Sequence, residues 1–226
     1  MSKPVFTSTW SFSRVWGHFY PMPDFPHMPE VLLRGQQVHL WTQLTDEGGT
    51  VRPPSTYKPY CEAYKSFCYS MAPSWTHIEQ PFENGQWHGI IDRIGYLKGH
   101  EKLVVADIKT GAGQGAEAQL RVATQLASYA MGWQPETYKQ CLRVGIYLHK
   151  DGTWRTKVYD DMEDFRRWTR LLQEVQNNGE KGTEATGNSA DQTHDGSDVC
   201  DDHQPQDVSG GIQDSGAGAA DPPTTG

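Results

Sequence analysis

The sequence lacks any apolar run long enough to cross a membrane, and it lacks the apolar segment that marks a secretion signal. Its first residues, MSKPVFTSTWSFSRVW, mix polar and aromatic side chains throughout. A membrane helix needs about 18 consecutive apolar residues, and a signal peptide needs a shorter uninterrupted core. We therefore expect a soluble protein that works inside the cell, without a membrane partner.

Cysteine is scarce, and its spacing is not that of a metal or disulfide framework. The chain has four cysteines, Cys61, Cys68, Cys141 and Cys200, without a CxxC pair among them. Disulfide-rich domains and structural zinc sites need denser or more regular spacing. Buried thiols are the simplest interpretation. We expect no zinc and no iron–sulfur cluster.

The last part of the chain has almost no aromatic or branched apolar residues. From Asn177 onward it consists mainly of Gly, Ser, Thr, Asp, Gln and Pro. Such a composition cannot offset the entropy of ordering, so we predict a disordered acidic tail over 177–226. This tail has ten acidic residues against one lysine, whereas the residues before it have 19 basic against 18 acidic side chains. The chain's overall acidity therefore does not exclude a nucleic-acid partner.

The remaining sequence divides into an arm and a folded domain. Residues 1–30 are rich in aromatics and proline, which predicts an irregular arm packed on the body; base stacking by its rings is the alternative. Residues 31–176 are predicted to be one domain. Periodicity and end signals predict helices over 29–44, 56–71, 116–132 (ended by Gly132) and 161–176. They predict strands over 76–82, 86–97, 102–109, 143–149 and 154–159. This order predicts an α/β fold with a central mixed sheet flanked by helices.

Residues 104–111, VVADIKTG, place two charges at the end of an apolar strand. Side chains alternate along a strand, so Asp107 and Lys109 share one face. They form either a structural ion pair or a site. If the turn KGHE closes a hairpin, Asp92 lies opposite Asp107, and two opposed acids destabilise a sheet without a cation. The carboxylates therefore favour magnesium or manganese at this position.

Two helices carry further polar groups. In QLASY, Gln125 and Tyr129 are four residues apart and share a helix face, with Arg121 one turn earlier. These side chains could instead face solvent. In RGQQVH, His39 follows apolar Val38, and a lone helical histidine is more often a surface or satisfied residue than a ligand.

Taken together, these motifs resemble those of RecB-type nucleases of the PD-(D/E)XK superfamily. The matching segments, in order, are GQQVH, GIIDRIG, ADIKTG and QLASY, within residues 31–150. No proline precedes Asp92, and the cysteine ligands of the iron–sulfur branch are absent. The resemblance implies a restriction-endonuclease-like fold and a metal-dependent deoxyribonuclease, more an exonuclease than an endonuclease.

The resemblance also implies a role for each residue. His39, Asp92, Asp107 and the carbonyl of Ile108 would bind the metal, and Lys109 would orient or activate the attacking water. Gln125 and Tyr129 would hold the lysine and the DNA backbone, completing the catalytic set. Glu79 is either structural, which we favour, or an additional acid. Candidate phosphate contacts are Arg34, Lys58, Lys65, Arg93, Arg121 and Tyr129, although each of these basic side chains, taken singly, is more often a plain solvated charge.

Such an enzyme would act in recombination, repair or phage DNA processing. Its partners would be DNA and a recombination protein such as a single-strand annealing or binding protein. It would work in the cytoplasm of a bacterial or phage-infected cell. Two alternatives stay open: a nucleic-acid-binding protein of the same fold that has lost cleavage, and a generic α/β protein whose Asp107 and Lys109 form a structural ion pair.

Overall fold

The computed structural model describes residues 7–8, 10–21, 28–50, 52–111 and 115–184. Its helices are α1 (Phe12–Phe19), α2 (Met28–Asp46), α3 (Lys58–Met71), α4 (Ala116–Trp133) and α5 (Glu163–Glu184), with a 3-10 turn at Tyr138–Gln140. Its strands are β1 (Ser74–Glu83), β2 (His88–Tyr96), β3 (Val104–Lys109), β4 (Leu142–Leu148) and β5 (Trp154–Tyr159). None of these helices is long and apolar enough to span a membrane.

The strands form one sheet in chain order, β1-β2-β3-β4-β5. Strands β3 and β4 are parallel, because α4 connects them as a crossover, and the other neighbours are antiparallel. This mixed sheet flanked by helices confirms the predicted fold class, a restriction-endonuclease-like α/β architecture.

Two apolar clusters cover the sheet, and strand β3 contributes to both. Val105 packs with residues of α1, α4 and α5, including Trp16, Leu126 and Trp168. Val104, Ala106 and Ile108 pack with residues of α2 and α3, including Val38, Tyr64 and Phe67. Because strand side chains alternate, Asp107 and Lys109 lie on the side of Val105, toward α4.

The prediction of an irregular N-terminal arm is wrong for the part that the structure describes. Ser11 caps helix α1 by accepting the Arg14 N–H at 3.3 Å. Phe12, Val15 and Trp16 are buried at the spacing of one helix face, so the packing interpretation is confirmed for these rings. Residues 1–6, 9 and 22–27 of the predicted arm lie outside the described residues.

Two predicted helix ends are also corrected. Gly132 does not end α4, which continues to Trp133; a Cβ at Gly132 would lie 2.0 Å from Phe82 Cε2, so the glycine allows close packing on β1. Helix α5 continues to Glu184, past the tail boundary predicted at 177. Extension of an existing helix adds one backbone hydrogen bond per residue without a new nucleation cost, which composition alone underestimates. Residues 185–226 lie outside the described residues, and their disorder stays a prediction.

Candidate active site

The hairpin of β2 and β3 has the predicted register. Arg93 pairs with Ala106, and the next pairs are Ile94 with Val105 and Gly95 with Val104. The same register brings Asp92 beside Asp107. At this point the strands are joined by a side chain, because Asp92 Oδ2 accepts the Ile108 N–H at 2.6 Å. Both carboxylates are buried, with 6% of Asp92 and 1% of Asp107 exposed.

Glu79 adds a third acid from the neighbouring strand. In the pairing of β1 with β2, Ile78 lies opposite Arg93 and Gln80 opposite Ile91, which leaves Glu79 opposite Asp92. Its φ of 49° is left-handed, an unfavourable conformation for a residue with a side chain. The carboxylates of Glu79, Asp92 and Asp107 therefore lie side by side on three adjacent strands, β1, β2 and β3.

Helix α2 supplies the histidine. The Nε2 of this residue, His39, lies 2.9 Å from the carbonyl oxygen of Ile108. Its Nδ1 lies 3.6 Å from Asp92 Oδ2 and 3.9 Å from Glu79 Oε1. Burial alone lowers the pKa of His39, but the carboxylates of Asp92, Glu79 and Asp107 outweigh it and raise the pKa to about 9. His39 is thus held by acids and by a backbone carbonyl.

These groups fit a hard divalent cation. One ligand atom from each of His39, Glu79 and Asp92 lies within 4.8 Å of the others; Asp107 is not in this group, although it is adjacent. Asp107 Oδ2 is buried and lies 2.7 Å from Lys109 Nζ. Carboxylate and carbonyl oxygens with one imidazole suit magnesium or manganese.

Sequence reasoning favoured a structural role for Glu79, whereas the structure places it with the candidate ligands. A signal was available in the sequence. The Asn84–Gly85 pair marks a hairpin between β1 and β2, and pairing of the strands across the four residues 84–87 puts Glu79 opposite Asp92.

Lys109 is held between β3 and α4. Its Nζ donates to Asp107 Oδ1 at 3.0 Å and to Gln125 Oε1 at 3.1 Å. Gln125 Nε2 in turn donates to the Tyr129 hydroxyl at 2.8 Å. Burial raises the pKa of Asp107 despite the opposing effect of Lys109, and burial also raises the pKa of Tyr129. The sequence-predicted group of Asp107, Lys109, Gln125 and Tyr129 is thus one connected network.

Tyr129 is 8% exposed and packs edge-on against Phe82, with ring centroids 5.9 Å apart. This burial argues against the predicted contact with DNA. Its position suits support of Gln125, which is the other role that the motif implies.

The predicted phosphate contacts fall into different environments. Arg93 is completely buried, so the prediction that it contacts phosphate is wrong. Lys58 and Lys65 are exposed on α3, where Lys65 Nζ lies 3.6 Å from Glu62 Oε1. Arg121 is half-buried on α4. Arg34 is also half-buried. Its Nε donates at 3.4 Å to Oγ1 of Thr110, the residue directly after Lys109.

Arg34 lines an open cavity of about 480 Å³ at the end of β3. The other residues of its wall include two that sequence reasoning did not single out, His149 and Lys150, which follow β4. The parallel pairing of β3 and β4 brings the two strand ends together, and only a correct sheet order would have predicted this. The cavity wall therefore carries the basic side chains of Arg34 and Lys150 with one acid, Asp151, and it includes Thr110, the residue after Lys109.

The sequence matches one family of known proteins over more than half of its length. The family model described as the PD-(D/E)XK nuclease superfamily matches residues 62–202, more than half of the chain. The matched segment contains Asp92, Asp107 and Lys109, and it begins after His39. No curated protein sequence matches the chain at a significant level.

Two solved structures are similar in part. One is an alkaline exonuclease, LHK-Exo, from Laribacter hongkongensis, with a TM-score of 0.36 and 10% identity, covering 77% of this chain and 93% of the other. The second is described as SSO0001, with a TM-score of 0.34 and 12% identity, covering 72% of this chain and 82% of the other.

Proposed function

Because the chain belongs to the PD-(D/E)XK nuclease superfamily, we propose that it is a divalent-metal-dependent deoxyribonuclease acting on DNA ends. The observation that carries this proposal is the network around Lys109. A lysine fixed by Asp107 and Gln125 stands beside two further acids and a histidine. A protein that only binds DNA would not need this arrangement.

The proposed metal ligands are His39, Asp92, Asp107 and the carbonyl of Ile108, with Glu79 as an additional acid. A bound magnesium or manganese ion would supply the positive charge that a phosphodiester needs while negative charge develops on its oxygens. Asp107 is placed among the ligands because its strand position is beside Asp92 and its carboxylate is buried. His39 must lose its proton before it can bind a metal, since a ligating imidazole is neutral.

Lys109 would act on the phosphate or on the attacking water. As a cation it cannot bind a metal, so its part in the reaction is to donate hydrogen bonds and charge. Its Nζ lies 3.0 Å and 2.7 Å from the two oxygens of Asp107 and 3.1 Å from Gln125 Oε1, so these groups would fix its position for a contact with the substrate. Its side chain is 31% exposed, enough to reach a bound strand.

DNA would bind along the cavity wall that carries Arg34 and Lys150. Phosphate contacts by such residues position a strand without reading its sequence. The resemblance to RecB-type nucleases favours an exonuclease, and with it work in recombination, repair or phage DNA processing beside a single-strand annealing or binding protein.

Digestion of end-labelled linear, nicked and circular DNA with magnesium, manganese or EDTA tests this function. We expect loss of label from linear DNA with either metal, intact closed circles, and no digestion in EDTA. Cleavage of closed circles would show that the enzyme is an endonuclease and not an exonuclease. Binding without cleavage of any substrate in either metal would refute the nuclease and leave a binding protein.

A further inference from the structure

Arg93 follows Asp92 in β2, and its side chain is 0% exposed. Its guanidinium makes four hydrogen bonds. Nε donates to Asp46 Oδ2 at 2.6 Å, and Nη2 donates to Thr42 Oγ1 at 3.1 Å. Nη1 donates to Glu79 Oε1 at 3.0 Å and to the backbone oxygen of Asp92 at 2.7 Å. One side chain therefore joins α2, β1 and β2 behind the candidate metal ligands.

Each of the three clustered ligands is connected to this guanidinium. Glu79 is bound through its carboxylate, and Asp92 through its own backbone carbonyl. His39 is reached through one intermediate, because the Thr42 hydroxyl that accepts from Arg93 donates to the His39 carbonyl oxygen at 2.9 Å.

The charge of Arg93 is matched by neighbouring acids. Burial raises the pKa of Asp46, and the guanidinium opposes that rise; the Tyr64 hydroxyl also donates to Asp46 at 2.6 Å. A buried guanidinium stays charged, so it must be matched by acids, and Asp46 and Glu79 fill this role. The pair with Glu79 also offsets the unfavourable left-handed backbone at that residue.

We propose that Arg93 is a positioning residue for the metal site. Its guanidinium holds Glu79 directly, and His39 through Thr42, at the spacing that a divalent ion requires. This inference rests on the proposed function. The planar fork of arginine matters, because lysine keeps the charge but cannot bond in three directions from fixed nitrogens. Partners that orient metal ligands in this way set metal affinity as well as rate.

The test compares Arg93→Lys with Arg143→Lys as a matched control. Arg143 is also buried, at 2% exposed, and its Nη1 lies 2.9 Å from Asp164 Oδ2, but it joins β4 to α5 rather than to the candidate ligands. Mn²⁺ affinity is measured by calorimetry at a temperature where thermal melts show every variant folded. We expect Arg93→Lys to weaken Mn²⁺ binding by about 10- to 100-fold. Arg143→Lys should lower the melting temperature and leave Mn²⁺ affinity near that of the parent.

Thr42→Val provides a second variant if Arg93→Lys does not fold. Valine keeps the shape and removes the hydroxyl between Arg93 and His39, so we expect Mn²⁺ affinity to fall by about fivefold, the effect of one hydrogen bond. If the parent binds Mn²⁺ and a folded Arg93→Lys or Thr42→Val variant binds it equally well, the positioning role alone is refuted. A parent that neither binds Mn²⁺ nor cuts DNA would refute the proposed function and the positioning role together.

Discussion

Truncation of Lys109 to alanine should stop cleavage while the protein stays folded. The substitution removes a cation whose Nζ lies 3.0 Å and 2.7 Å from the two oxygens of Asp107 and 3.1 Å from Gln125 Oε1. If this cation stabilises charge in the transition state, its loss costs on the order of 3 kcal/mol, or roughly a hundredfold in rate. Metal and DNA binding should change little, because Lys109 is not a ligand.

The same substitution has a smaller effect on stability. Asp107 is buried and loses its neighbouring cation, so its pKa should rise further above the usual range. Lys109 is 31% exposed, and solvent already screens part of the pair. We expect a loss of about 1 kcal/mol of unfolding free energy, which a thermal melt would detect.

The assay is single-turnover cleavage with enzyme in excess over DNA, so that weaker binding does not limit the rate. Lys157→Ala is the control, since Lys157 lies on β5, two strands from β3, and donates to a glutamine of α4, Gln119, rather than to a candidate metal ligand. It should cut at close to the parent rate. A folded Lys109→Ala protein that also cuts at close to the parent rate would refute the catalytic assignment.

Three further outcomes follow from the structure. The pKa of His39 is raised from 6.5 to about 9, so without metal its charged form stabilises the fold fully below about pH 6.5, and this contribution is lost as pH rises through 9. Melts from pH 6 to 10 should show this slope in the parent and not in His39→Gln; equal slopes would contradict the assignment. Gly132→Ala should lower the free energy of unfolding by about 1–3 kcal/mol because its Cβ would meet Phe82, whereas Gly35→Ala in α2, with open space around it, should not. Equal melting temperatures of the two variants would show that α4 can shift. Removal of residues 185–226, which carry eight aspartates and no lysine or arginine, should leave the melt unchanged and tighten DNA binding at low salt but not at high salt. Unchanged affinity at both salts would leave the tail only a role in solubility.

Much of the site could be predicted because strand geometry is strict. Alternation along β3 placed Asp107 and Lys109 on one face, and a single turn fixed which residues of β2 and β3 face each other. Spacing along α4 likewise placed Gln125 and Tyr129 on one face, in reach of Lys109.

What could not be predicted depends on contacts between distant segments. Arg93 looks like any other surface cation in the sequence, and its burial follows from Asp46, which approaches from another helix. The cavity beside Arg34 needs the parallel pairing of β3 with β4, which no local pattern specifies. Helix α1 was hidden by the prolines around it, although its buried residues have regular spacing.

The central claim is that Asp107 belongs to a metal-dependent cleavage site, and one titration tests it most directly. The rate of release of label from linear duplex DNA is measured against Mn²⁺ concentration for the parent and for Asp107→Asn, each shown to be folded. The parent should show a rate that rises with Mn²⁺, saturates, and vanishes in EDTA, and the variant should be at least about a hundredfold slower at every concentration. Cleavage by the parent in EDTA, or cleavage by Asp107→Asn at the parent rate, would contradict the account.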